Sequence, residues 1–196
     1  MSRFRDEIRS QLGETARLLQ SFPDDLIASI ETLAVKAAAA LQQGHKIVFF
    51  GNGGSAADAQ HLAAELVVRL HANRKGLAAL SLATNTSVLT AAGNDLGFEF
   101  IFARQIESLV NAGDVLVALS TSGTSPNIVR GVEAGKGRGA FLVGMTGQTG
   151  GALRGKVDLL LAIPSQDAQR IQEAHISIGH VVCSLIERIC CPELGA

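Results

Sequence analysis

Hydrophobic positions along this chain follow two rhythms that exchange at Gly44. Before it, apolar residues recur at helical spacing; after it, apolar runs of strand length alternate with longer stretches of helical spacing. The first part predicts helices over 2–20 and 24–43, split at Ser21-Phe22-Pro23-Asp24, where proline disfavours helix in the residue ahead of it. Asp24 or Asp25 is the expected cap of the second helix. The second part predicts strands near 46–50, 78–82, 115–119, 140–144 and 158–163, with helices near 55–70, 86–93, 101–111, 125–136, 150–154 and 167–191. Such alternation means parallel strands joined by crossover helices. The expected fold is α/β, a three-layer α/β/α sandwich on a five-stranded parallel sheet, with an N-terminal helical hairpin packed outside it. Residues 1–196 read as one domain, 1–44 the hairpin and 45–196 the sandwich. Helices lying outside a complete sandwich commonly serve subunit contacts, so a homo-oligomer is expected.

Composition narrows the possible partners. With 47% apolar residues in 196, the chain can bury a full core. A formal charge of −1, the absence of Trp and Tyr, and no cluster of Lys or Arg speak against nucleic acid, which wants a basic face and stacking rings. The charged start Met1-Ser2-Arg3-Phe4-Arg5-Asp6-Glu7 lacks a signal-peptide core, and no apolar run is long enough for a bilayer. A cytoplasmic protein with no membrane partner is expected. Cys183, Cys190 and Cys191 lack metal-knuckle spacing and read as reduced core or interface residues.

Two turns carry the candidate chemistry. Gly51-Asn52-Gly53-Gly54-Ser55 follows the strand Lys46-Ile47-Val48-Phe49-Phe50 and opens an Ala-rich helix. Glycine lets backbone N–H groups approach an anion, and the start of a helix adds unpaired donors with partial positive charge. Ser120-Thr121-Ser122-Gly123-Thr124-Ser125 repeats the arrangement after Val115–Leu119, with Ser125 at the N-cap and Pro126 at the first helical position. Hydroxyls there can wrap a phosphate without lysine. Neither turn holds the Gly-Lys-Ser/Thr of a nucleoside triphosphatase. Both fall at the carboxyl ends of strands, where open parallel sheets bind ligands.

Downstream of the first turn, Leu62, Leu66 and Leu70 can face the sheet while Asp58, His61, Glu65 and Arg69 follow at three- and four-residue steps on one polar face. Near the C-terminus, Arg170-Ile171-Gln172-Glu173-Ala174-His175 and then His180 lie on one helix. Gln172 and His180 are eight residues apart, about 12 Å along a helix axis, so one ion joins them only if both side chains lean inward. A carboxylate and an imidazole suit proton movement between adjacent sugar carbons near neutral pH, and a divalent ion would polarise the carbonyl.

The chain resembles the sugar isomerase (SIS) domain family, and within it the phosphoheptose isomerases. The residues that carry the resemblance are Gly51-Asn52-Gly53-Gly54-Ser55-Ala56-Ala57-Asp58-Ala59-Gln60-His61, Gly93-Asn94-Asp95, Leu119-Ser120-Thr121-Ser122-Gly123 and Arg170-Ile171-Gln172-Glu173. It implies a flavodoxin-like SIS fold and interconversion of sedoheptulose 7-phosphate with D-glycero-D-manno-heptose 7-phosphate, feeding bacterial lipopolysaccharide or surface glycans. By the same transfer, Asn52, Gly53, Gly54, Asn94, Asp95, Ser120, Thr121, Ser122 and Ser125 line the substrate pocket, with Ser55, Arg69, Glu65 and Gln172 also meeting the sugar phosphate. Glu65 and His180 exchange the proton, and His61, Glu65, Gln172 and His180 hold one zinc ion per site. The family implies a homotetramer with active sites between subunits. Gln166-Asp167-Ala168-Gln169 departs from the family pattern.

Two other classes compete. A noncatalytic sugar-phosphate sensor or replication-initiator partner would keep both turns without needing Glu65 and His180. An NAD-dependent oxidoreductase would use Gly51, Gly53 and Ala56 as its dinucleotide turn, but no acidic residue lies between Glu65 and Asp95 to take the ribose. No nucleotide cofactor is therefore expected.

Overall fold

A computed structural model describes residues 3–194, so residue 2 of the first expected helix lies outside the described residues. Two long helices, α1 (Arg3–Gln20) and α2 (Asp24–Gln42), precede β1 (Ile47–Gly51), α3 (Gly54–Val67), β2 (Ala79–Ser81), α4 (Thr86–Asp95) and α5 (Ala103–Leu109). Then follow β3 (Val115–Leu119), α6 (Pro126–Gly137), β4 (Phe141–Gly147), β5 (Leu159–Ile163) and α7 (Ala168–Cys190). Short 3₁₀ turns lie at Phe98–Phe100, Gly151–Leu153 and Pro192–Leu194. The five strands are parallel in the order β2-β1-β3-β4-β5. This is the flavodoxin-like order, and the α/β/α sandwich stands as expected.

Strands β1 and β3 are buried along their whole length, as strands covered on both faces must be. Alternation sorts their residues. Ile47, Phe49, Val115 and Val117 pack against α2, α3 and α7, whereas Val48, Phe50, Leu116 and Ala118 pack against α4, α5 and α6. The expectation that both N-terminal helices lie outside the sandwich is corrected. Leu26, Ile30, Leu33, Ala34, Ala37, Ala38 and Ala40 of α2 are all buried in the core on one face of the sheet, so α2 is a member of the layer. Its alanines permit close approach, and an all-alanine stretch offers no strong apolar stripe from which to read that burial. Only α1 stands outside, resting on α7 with Phe4, Ile8 and Leu12 exposed at 70%, 57% and 68%.

Other boundaries moved for local reasons. Pro23, not Asp24 or Asp25, occupies the N-cap of α2, and Asp25 Oδ1 accepts only from the neighbouring Leu26 amide. The expected helix over 150–154 is a single 3₁₀ turn. Helix α3 ends at Val67, three residues short of expectation, which removes Arg69 from its polar face. Among the described residues no helix is long and apolar enough to cross a membrane.

Candidate active site

The connection from β1 through α3 runs to β2 on one side, while that from β3 through α6 runs to β4 on the other. The sheet therefore reverses direction between adjacent β1 and β3, and a crevice opens where their carboxyl ends diverge. Both glycine- and hydroxyl-rich turns flank it. In the second turn the buried Ser120 Oγ accepts from the Gly123 amide at 3.1 Å, and Ser122 Oγ accepts from the Thr124 amide at 3.2 Å. Each accepting hydroxyl keeps its own hydrogen for an anion. Ser125 sits at the N-cap of α6 with Pro126 after it, as the sequence predicts, but its hydroxyl makes no capping bond.

The two turns are stapled together. Asn52 Nδ2 donates to Asn127 Oδ1 at 2.9 Å and Asn127 Nδ2 donates back to Asn52 Oδ1 at 2.8 Å. Asn127 is 2% exposed. Sequence reasoning missed Asn127, for which the only local signal is a polar residue in the buried first turn of α6. The Asn52 side chain is committed to this pair, which leaves its backbone amide as the group free to face a ligand.

Helices α3 and α7 lie side by side and run the same way, Gly54 meeting Gln172 and Leu62 meeting Gly179. A Cβ on Gly179 would stand 2.5 Å from Leu62 Cδ2, so this glycine sets how closely the helices approach. That approach brings His61 Nε2 to 2.8 Å from His180 Nε2 and 3.2 Å from Glu65 Oε1. The rings cross edge to face at 80°. Ligand atoms of His61, Glu65 and His180 all lie within 4.8 Å of one another. Two imidazoles and a carboxylate converging so closely form a donor set suited to zinc or another first-row divalent ion. Gln172 is placed elsewhere, its carboxamide lying against Gly54 at the foot of α3.

The remaining candidates are spread over the start of α3, the end of α4, the second turn and the loop after α3. Gly53 and Gly54 are exposed at the start of α3, and Ser55 is buried there. Asn94 and Asp95 end α4, exposed and joined to each other through Asn94 Nδ2 and Asp95 Oδ1 at 2.7 Å. Thr121 is half-buried, and Arg69 is exposed beyond the end of α3. Asp58, expected on the polar face, is buried; burial pushes its carboxyl up to about 6 against the pull of His61, and Oδ2 has no hydrogen-bond partner. Cys183 is buried, and Cys190 and Cys191 are half-buried free thiols.

The SIS domain family profile matches residues 12–147. The phosphoheptose isomerase of Burkholderia pseudomallei is 47% identical over 182 residues, 92% of each chain. The chain belongs to the SIS family, among its phosphoheptose isomerases. Membership makes it a phosphosugar isomerase. The solved phosphoheptose isomerase GmhA of Neisseria gonorrhoeae superposes with a TM-score of 0.88 at 38% identity, over 94% of this chain and 98% of that one. The Vibrio vulnificus NanR protein complexed with ManNAc-6P, at 13% identity and a TM-score of 0.60, shares the fold alone.

Proposed function

We propose that this phosphosugar isomerase interconverts sedoheptulose 7-phosphate and D-glycero-D-manno-heptose 7-phosphate by enediol proton transfer. The observation that carries the reading is the meeting of Glu65 with His61 and His180 on two helices, one of which is opened by the first glycine-rich turn. The amides opening α3 at Gly53, Gly54 and Ser55, with the hydroxyls of Ser120, Thr121, Ser122 and Ser125, are suited to the phosphate. Arg69, Asn94, Asp95 and Gln172 are assigned to the sugar's hydroxyls and anionic tail. Glu65 takes a proton from C1 of the ketose and returns it at C2, and His180 serves the exchange from the facing helix. The electrons shift within the sugar, so no nucleotide cofactor takes part.

His61, Glu65 and His180 are suited to hold one zinc ion per site. Service by Gln172 as a fourth ligand requires its carboxamide to turn away from Gly54. A bound ion would polarise the carbonyl and stabilise the developing enediolate. Elemental analysis after gentle purification is expected to find one zinc per chain.

We assign the hairpin over 1–44 to subunit contacts in a homotetramer with active sites between subunits. The exposed Phe4, Ile8 and Leu12 form a stripe at four-residue steps on α1. A groove of about 490 Å³ between the hairpin and α7, lined by Phe22, Ile27, Val181 and Leu185, shares the last two residues with a cleft of about 590 Å³ that reaches His180. Apolar surface that a second copy would cover thus runs to the edge of the site. A cytoplasmic setting, where sugar phosphates are retained, and a product destined for bacterial lipopolysaccharide or surface glycans complete the assignment.

The test is turnover of the wild-type protein on sugar phosphates of different length. A seven-carbon ketose phosphate is expected to exceed fructose 6-phosphate by at least about tenfold in kcat/KM, a difference of about 1.4 kcal/mol in transition-state stabilisation. Equal values would remove the heptose assignment and leave the isomerase class.

A further inference from the structure

A second buried polar cluster lies between α7 and the loop that follows α3 and is not used by the chemistry above. Arg74, in the loop from α3 to β2, and Glu187, seven residues beyond His180 on α7, form an ion pair with side chains 1% and 5% exposed, Arg74 Nε lying 2.8 Å from Glu187 Oε2. Arg74 Nη2 donates to the carbonyl of Glu65 itself at 3.0 Å, and Nη1 donates to the carbonyl of Leu66 at 2.8 Å and of Lys75 at 3.1 Å. Glu187 accepts from the amides of Leu70, His71 and Ala72 at 3.3, 3.1 and 2.8 Å. Burial pushes its carboxyl up, and the three amides with Arg74 more than offset this, holding it below the ordinary carboxylate range.

Sheer stability does not require such a cluster, since buried ion pairs are often replaced by apolar side chains without loss. Its distinctive feature is where the guanidinium is anchored. Helix α3 ends at Val67, and past Ala64, whose carbonyl accepts from the Val68 amide, the carbonyls of its last turn have no intrahelical partner. Arg74 donates to two of them, that of Leu66, which it shares with the Leu77 amide, and that of Glu65, whose carboxylate meets His61, and fastens both to α7. Gly179 sets the spacing of the two helices, and this clasp sets the position of the Glu65 turn along them. Its loss would let the Glu65 carboxylate shift while both helices remained packed.

We propose that Arg74 and Glu187 are positioning residues of the isomerase, holding the Glu65 backbone in register with His180 without touching the substrate. The inference rests on the proton-transfer role given to Glu65. Arg74→Lys keeps a cation for Glu187 but gives up the fork that reaches Glu65 and Leu66; Glu187→Gln keeps the shape and removes the charge. In each variant kcat at 25 °C is expected to fall about 10- to 100-fold with KM within about threefold of wild type. Zinc affinity, read by competition with a chromophoric chelator, is expected to weaken by about 10- to 100-fold. In a Glu65→Gln background, Arg74→Lys should lower the residual rate no further. A lower melting temperature with kcat and zinc affinity within twofold of wild type would overturn the proposal, as would loss of folding in both variants, since either outcome assigns the pair to the core. Wild-type protein inactive on the heptose phosphate would instead defeat the functional reading, and the chelator competition would still test the clasp.

Discussion

Glu65→Gln is expected to lower kcat on sedoheptulose 7-phosphate by about 10²- to 10⁴-fold, the range lost with a positioned general base. The substitution is close to isosteric. Glu65 lies one turn after His61 on α3, its side chain 17% exposed and Oε1 3.2 Å from the His61 ring. Glutamine can keep that packing and still offer an oxygen to His61, but it cannot accept and return a proton at carbon. The far-UV circular dichroism and melting temperature should therefore stay near wild type while turnover collapses. His180→Ala is expected to fall into the same range, because the 2.8 Å contact with His61 is lost along with any proton His180 handles. The two losses should not add, since groups that act as a unit fail together. Substrate binding, followed by calorimetry, should persist in both variants because the turns assigned to the phosphate lie elsewhere, at the starts of α3 and α6. Equal turnover in wild type and both variants would show that neither side chain takes part in the proton transfer.

The sequence carried much of the architecture because strand and helix periodicities differ, and each strand from Ile47 to Ile163 was bounded by a turn. Periodicity reports which face is apolar but not what covers it. That is why α2, with its run of alanines, reads from sequence as lying outside a sandwich of which it is a layer. The site was legible where chemistry is local. His61 and Glu65 share a helical face, and the hydroxyl turn announces itself by composition. Contacts between distant segments were not. Asn52 finds Asn127 only because β1 and β3 are neighbours at the reversal of the sheet, and Arg74 finds Glu187 across more than a hundred residues. The eight-residue interval between Gln172 and His180 predicts a strain on any ion they share. In the fold the two side chains sit at different levels of α3, Gln172 at Gly54 and His180 at His61.

Acid should weaken the fold through His175. This ring is wholly buried, its Nε2 3.3 Å from the Thr146 carbonyl and its Nδ1 without a partner. Burial pushes its pKa down to about 4, against the pull of the Thr146 carbonyl, while the unfolded chain keeps the ordinary value of 6.5. The usual histidine sign is thereby reversed. Between pH 6.5 and 4 the unfolded chain binds a proton that the folded chain refuses, so stability is complete above 6.5 and is lost as pH falls through that window. By pH 5 the loss amounts to about 2 kcal/mol, a large share of a typical domain's stability. Asp58 acts the other way, since burial pushes its carboxyl up to about 6 and the folded chain gains a proton there before the unfolded one. The raw pH profile therefore mixes the two, and comparison with His175→Gln, which keeps an N–H for Thr146 and cannot titrate, separates them. In denaturant unfolding at matched protein concentration, the gap between variant and wild type is expected to move by about 2 kcal/mol in favour of the variant from pH 7.5 to pH 5. A gap unchanged across that range would show that His175 is protonated inside the fold as readily as outside it.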